Sequence, residues 1–272
     1  MRRMPSPAEA RSPEHLVVFV CGLHRSGTTP LARVLAEHPE VSGFSGTGVP
    51  EDEGQHLQDV YPPAHESGGP GRFARHRSAH LTESSELVKP EAASRLWASW
   101  APHWDLDRRV LVEKSPSNTL MTRFLQRLFP QAVFLVVVRH PVVVTLSTAK
   151  WVRPTPLPLV MANWFAGHET LRDDLPYLSR VKLITYEDLT RRPVETLADV
   201  ADYLALQGRI PHQTLRSDRS ASYEQRWEGM RRSRNPLARA SRAYMIARYA
   251  ERARTFGYSL TDFAYQGKFE GA

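Results

Sequence analysis

Of its 272 residues the chain spends one on cysteine, Cys21, so an intramolecular disulfide is excluded. No apolar run is long enough to span a bilayer, because the stretch Val133 to Val138 is broken at once by Arg139-His140-Pro141. Met1 to His15 carries arginines and prolines but no apolar core, which argues against a secretory leader. Metal-ligand spacings are missing as well, and His76, His80 and His103 read as scattered polar residues. Acidic residues are the minority, 29 Asp and Glu against 36 Lys and Arg, for a formal charge of +7. The arginines are dispersed and no nucleic-acid module is recognisable. The surplus therefore reads as solvated basic faces, or as a field drawing in a polyanionic cofactor or acidic substrate. These absences lead us to expect a protein of a reducing, cytoplasmic setting that binds neither metal, membrane nor nucleic acid; they say nothing of oligomeric state. Cys21 closes an apolar strand and reads as a small buried residue rather than a nucleophile.

What the chain does have is alternation of strands and helices. Leu16 to Cys21, Val110 to Glu113, Val133 to Val138 and Val181 to Thr185 are short runs rich in β-branched residues, as in buried parallel strands. Helical patterns occupy Thr28 to Glu37, part of Leu87 to Trp104, Thr119 to Phe129, Pro141 to Trp151, Leu157 to Leu175, Val194 to Leu206 and Asn235 to Phe256. The expected packing residues include Leu31, Val34 and Leu35, then Leu96, Trp97 and Trp100, and in the last helix Leu237, Tyr244, Met245 and Tyr249. Strands alternating with helices predict an α/β fold, a parallel β-sheet flanked by helices. Met1 to Glu14 reads as a disordered lead, and 15–272 as a single domain without repeats or linker. Val41 to Arg77, rich in Gly, Pro and acidic residues, is long enough to suggest a functional loop region.

Two strand ends carry the chemistry. Val18 to Cys21 runs into Gly22-Leu23-His24-Arg25-Ser26-Gly27-Thr28-Thr29 and then a helix, so backbone N–H groups and a helix start face a common point, the geometry of an anion cradle. Gly22 and Gly27 stand five apart as in a nucleotide-binding P-loop, but Thr28 occupies the place of the lysine that kinases and ATPases require. The cation of the loop is Arg25. The strand Val133 to Val138 ends in Arg139 where an NTPase usually has an aspartate for Mg²⁺, and a cation there suits a further phosphate. Lys114 follows another strand, at the same sheet edge where ligands gather; its alternative reading is a solvated lysine paired with Glu113.

The loop resembles the 5′-phosphosulfate loop of sulfotransferases that use 3′-phosphoadenosine 5′-phosphosulfate (PAPS). Arg139, followed eight residues on by Ser147, resembles their 3′-phosphate motif. Glu113-Lys114-Ser115-Pro116 and Tyr186-Glu187-Asp188-Leu189 are similar to further elements of that family, in the family's order, so the likeness runs from about Val17 to Pro193. The resemblance implies a P-loop NTPase-like fold, PAPS as co-substrate, its product 3′-phosphoadenosine 5′-phosphate (PAP), no metal, and a hydroxyl-bearing acceptor, a small molecule or carbohydrate. By the same resemblance Arg25, Ser26, Gly27, Thr28 and Thr29 hold the 5′-phosphosulfate, Arg139 and Ser147 the 3′-phosphate, and Tyr186 lies near adenine. Arg25 and Lys114 would stabilise the departing and transferring oxygens, Arg25 electrostatically because arginine does not readily release its proton.

Sulfonyl transfer also needs a group to take the acceptor proton. Glu51-Asp52-Glu53-Gly54-Gln55-His56 is the candidate cluster, with Glu53 and Glu51 ahead of His56, and a solvated acidic loop is the alternative. Aligned through His38-Pro39-Glu40-Val41, this chain has Ser45-Gly46 where tyrosylprotein sulfotransferases carry glutamates, so the base is not fixed by the motif. The family closes the 3′-phosphate site with a late loop, for which Arg216 to Ser220 is the region to expect, and Tyr223 and Trp227 could line an acceptor pocket or simply pack. The rival readings are a P-loop kinase-like phosphotransferase, disfavoured by the missing loop lysine, and a non-catalytic PAP(S)-binding module.

Overall fold

The computed structural model describes residues 15–215 and 220–269, so the expected lead, Met1 to Glu14, and positions 216–219 of the expected late loop lie outside the described residues. Five parallel strands form one sheet in the order β2-β3-β1-β4-β5: β1 (Leu16–Cys21), β2 (Val41–Gly43), β3 (Val110–Lys114), β4 (Val133–Val138) and β5 (Val181–Thr185). Because side chains alternate along a strand, β1 sends Val17, Phe19 and Cys21 to one face and Val18 and Val20 to the other. Both faces are covered, as a parallel sheet requires. On the first lie α2 (Ala92–Trp100), α3 (Thr122–Leu128), α4 (Pro141–Thr148), α5 (Leu157–Asp174), α8 (Ala221–Arg231) and α9 (Pro236–Thr255). On the second lie α1 (Thr28–Ala36), α6 (Tyr186–Arg191) and α7 (Pro193–Tyr203). Trp100, Trp164 and Trp227 are fully buried on the first face, where such aromatics contribute most of the apolar area removed from water.

Three of the expected strands keep their bounds and β3 gains Lys114, but the sheet has a strand more than the sequence suggested. Val41–Gly43 pairs with Val110 to Val112, and three residues ending in glycine carry no legible period. The helix expected from Thr119 begins at Thr122, since Thr119 lies in a 3₁₀ segment, Pro116–Leu120, and its Oγ1 accepts a hydrogen bond from Gly22 N at 2.7 Å. Two helices went unforeseen. The six-residue α6 is set by its cap, Thr185, whose Oγ1 accepts from Asp188 N, and α8 buries only Trp227 and Met230 and so shows no apolar stripe. In α9, Met245 and Tyr249 are buried as expected, whereas Leu237 and Tyr244 are 77% and 55% exposed and do not pack. Cys21 is a buried free thiol whose acidity is suppressed by burial, and secondarily by Glu113. Among the described residues no helix is long and apolar enough to cross a membrane.

Candidate active site

Parallel strands bring their carboxyl ends to one edge, and that edge collects the chain's chemistry. The loop after β1 turns on two glycines. At Gly22, φ is +146° and a Cβ would sit 2.5 Å from Val137 O; at Gly27, φ is +108° and a Cβ would sit 2.3 Å from the Tyr186 ring. Only glycine fits either place. The turn is closed by Ser26 N donating to Leu23 O at 3.0 Å, and α1 starts with Leu31 N donating to Gly27 O. Between the glycines Arg25 itself adopts a left-handed φ of +70°, a strained choice for a side-chain-bearing residue. Ser26 is fully buried, and its Oγ finds no hydrogen-bond partner among the described residues. A glycine-turned loop that runs directly into a helix start fits a site made for an anionic ligand.

Arg25 reaches across the sheet edge. Its Nε donates to Ser147 Oγ in α4 at 2.9 Å, and its guanidinium stacks over Trp151 at 4.4 Å. Ser147 Oγ also accepts from Tyr223 Oη at 3.3 Å, and Lys150 Nζ lies 3.1 Å from that phenol oxygen. Arg139, just past β4, stacks over Tyr186 at 3.8 Å, donates through Nη1 to Arg25 O, and through Nη2 to Ser220 Oγ at 3.0 Å. Its own carbonyl is fixed by Trp164 Nε1 at 3.0 Å. Ser220, the described end of the expected late loop, thus lies against the strand-end arginine.

Lys114 is not a surface lysine, and its partner is not Glu113. It is buried and donates to Glu53 Oε1 at 3.1 Å and to Glu51 O at 2.9 Å. Adjacent strand residues project to opposite faces, so Glu113 points away, accepting from Ser115 Oγ at 2.6 Å and Asn118 Nδ2 at 2.5 Å. Burial pushes the Glu113 carboxyl up to about 7 against the pull of those two hydrogen bonds. Ser115 Oγ in turn accepts from Gln55 N, and Trp100 Nε1 donates to Gly54 O, so this buried group holds the acidic loop in place. Glu53 is nearly fully buried; its second oxygen accepts from Gln55 Nε2 at 2.5 Å and lies 3.8 Å from His56 Nε2. Glu51 is exposed and meets Lys114 only through its carbonyl, while Asp52 is occupied with the Thr47 N–H and hydroxyl.

A cavity of about 510 Å³ opens here, and its wall contains Arg25, Gly27, Thr28, Thr29, Glu51, Glu53, His56, Arg139, Ser147 and Tyr186. Two expected site residues, Ser26 and Lys114, are buried and form no part of that wall. Tyr223 lines the cavity, whereas Trp227 is core, its Nε1 donating to Leu260 O. Sequence reasoning missed His24, His65 and Trp151. His24 stands edge-on to Phe73, its Nδ1 buried and unpartnered, and burial, then Lys114, His56 and Arg25, bring it down to about 3, so it is neutral at pH 7. Its position inside the loop was the available signal. His56, shifted down chiefly by burial against the upward pull of Glu53, stacks on His65 with centroids 5.8 Å apart.

A sequence profile described as the sulfotransferase family matches residues 18–209, the span that supplies the loop, Lys114, Arg139, Ser147 and Tyr186. The nodulation protein NoeE of Sinorhizobium fredii (strain NBRC 101917 / NGR234) is 27% identical over 146 residues, 50% of this chain and 32% of NoeE, so the match spans about a third of that relative. Among solved structures, sulfotransferase STF9 from Mycobacterium avium superposes with a TM-score of 0.54 at 13% identity, covering 96% of this chain and 81% of STF9. Sulfotransferase STF1 from Mycobacterium tuberculosis H37Rv gives 0.52 at 16% identity, covering 90% and 79%. At such identities the two structures establish the shared α/β fold. The profile match extends over most of the chain, and the chain belongs to the sulfotransferase family.

Proposed function

We propose that this protein transfers the sulfonate of PAPS to a hydroxyl of a small molecule or carbohydrate, releasing PAP, with 15–272 as its single catalytic domain. The observation that carries the reading is the convergence of Arg25, Arg139 and Ser147 on one cavity, backed by a buried Lys114–Glu53 pair. PAPS would supply an activated sulfonate and two anionic ends. Arg25, the loop N–H groups and the hydroxyls of Thr28 and Thr29 would hold the 5′ end, with the buried Ser26 supporting the loop, and Arg139 and Ser147 would hold the 3′-phosphate. Tyr186, fixed by the Arg139 guanidinium on its face, is the aromatic surface available to the adenine.

Glu53 is our choice for the group that takes the acceptor proton. It faces the cavity, and Lys114 and Gln55 hold the carboxylate in one orientation. Lys114 donates to Glu53 and to Glu51 O, and in this reading its ammonium would stabilise negative charge developing on the sulfonate although it does not line the cavity. Glu51 and His56 are the rival bases. The lone, buried cysteine suits a reducing, cytoplasmic setting. Incubation with ³⁵S-labelled PAPS and a metabolite extract tests the reading. Label transferred to an organic acceptor supports it. PAP binding without transfer would leave a PAP(S)-binding module, and transfer of label-free phosphate from ATP would indicate the kinase-like alternative.

A further inference from the structure

Beside the active-site cavity lies a second groove, of about 510 Å³, whose lining includes Arg72, Arg75, His76 and Thr155 and no carboxylate. Among the described residues neither arginine makes an ion pair within 4.0 Å. Both arginines are exposed, and Arg72 is tethered. Arg72 is pinned through Nε and Nη2 to Thr155 Oγ1, at 3.1 and 2.5 Å, which leaves Nη1 for a ligand. The backbone beneath is clamped: Gly71 packs so closely that a Cβ would lie 3.1 Å from Thr148 and 3.3 Å from Val160. Phe73 is buried, and Ala74 N donates to Asn163 Oδ1 of α5 at 2.9 Å. One guanidinium held in place, with a second cation three residues on lining the same groove, suits recognition of a carboxylate, phosphate or sulfate.

Position gives this groove its meaning. One wall leaves the active-site cavity at Pro70 and reaches Arg72 two residues later; the other leaves it at Trp151 and reaches Pro154 and Thr155. Both chain segments thus run from the rim of the reaction cavity into the groove. Leu159, 41% exposed, and Pro154 and Pro156 line the groove beside the charges, and Trp151, 56% exposed, lines the reaction cavity, which suits an anion carried on a carbon skeleton. We propose that the groove is an anion-recognition subsite for the acceptor, which therefore carries a carboxylate, phosphate or sulfate remote from the hydroxyl that receives the sulfonate. The proposal rests on the sulfotransferase reading and narrows its substrate class.

Two measurements test it, with the Arg72→Ala/Arg75→Ala double variant beside the wild type. In the first, phenyl phosphate is titrated into protein saturated with PAP, which fills the cofactor's own phosphate sites, and followed by ligand-observed NMR. Wild type should bind phenyl phosphate in preference to phenol, and the double variant should bind it about tenfold or more weakly. In the second, a metabolite extract is separated into anionic and neutral pools before reaction with ³⁵S-labelled PAPS. Wild type should label the anionic pool, and the double variant should lose about tenfold of that label with PAP affinity unchanged. Label confined to the neutral pool overturns the proposal while leaving sulfotransfer standing. Loss of phenyl phosphate binding with undiminished labelling overturns it too, assigning the groove to a free anion. Failure of the wild type to bind PAP at all strikes the parent reading instead.

Discussion

Arg25 Nε and Ser147 Oγ, 122 residues apart, are joined by a 2.9 Å hydrogen bond. One belongs to the glycine-turned loop and the other to the helix after β4, so the bond links the two ends of the proposed cofactor site. Neither group is idle in the free protein. A phosphate entering the site must accept from groups already coupled to one another. Arg25→Ala and Ser147→Ala should each weaken PAP binding, and the double variant should fall short of their sum by about 0.5–3 kcal/mol, the range for directly interacting neighbours. Isothermal calorimetry of all four proteins gives the cycle. Additivity within about 0.5 kcal/mol would show that the bond plays no part in binding.

In the proposed site Arg139 would carry the preference for a 3′-phosphate. Arg139→Ala should weaken PAP by about 2–5 kcal/mol, as for truncating one member of a buried charge pair, and erase its advantage over AMP. Because Arg139 also stacks on Tyr186 and donates to Ser220, AMP affinity measured in parallel separates lost charge from lost packing. Undiminished discrimination between PAP and AMP would remove Arg139 from the 3′ site.

Lys114→Ala should lower kcat far more than it weakens PAP binding, since an interaction strengthened in the transition state is read in kcat. The substitution also leaves Glu53 buried beside Gln55 without its cation, so a thermal melt belongs with the kinetics. Normal single-turnover transfer by a folded variant would return Lys114 to a structural role.

Glu53→Gln should depress transfer by about 10²–10⁴-fold with PAP affinity intact. The exposed Glu51 offers Lys114 a carbonyl that survives substitution, so Glu51→Gln should cost little, and Asp52→Asn less than Glu53→Gln because its carboxylate serves Thr47. If Glu53→Gln keeps wild-type rates while folded His56→Ala is inactive, the histidine is the base.

Glu113 gives a pH signature opposite to the usual one. Its carboxyl is raised from 4.5 to about 7, first by burial, so the folded state binds the extra proton between those values. A raised carboxyl favours the fold below its unfolded value, and that advantage is lost as pH rises through about 7. Glu113→Gln, which keeps the shape and carries no charge, should therefore gain stability over wild type between pH 5 and pH 8. Urea midpoints at the two pH values measure it. A constant difference would mean that Glu113 does not change its protonation on folding.

Much of this protein was readable in one dimension. The runs at 16–21, 133–138 and 181–185 became strands with those bounds. The first two are apolar throughout because buried parallel strands leave no polar side, and the third, at the sheet edge, is rich in β-branched residues but only partly buried. The glycine spacing marked a tight loop in the sequence, and only glycine tolerates the backbone approaches found at Gly22 and Gly27. Partnership across distance was not readable. Lys114 had an acidic neighbour in sequence, yet strand alternation turns Glu113 away and the fold delivers Glu53 from a loop sixty-one positions earlier. The same holds for His24, whose neutrality comes from burial, and for Arg72 and Arg75, which share a groove only because Gly71 locks their turn against α4 and α5. Local backbone chemistry is written along the chain, whereas the burial and pairing of charges depend on which segments the sheet brings to one edge.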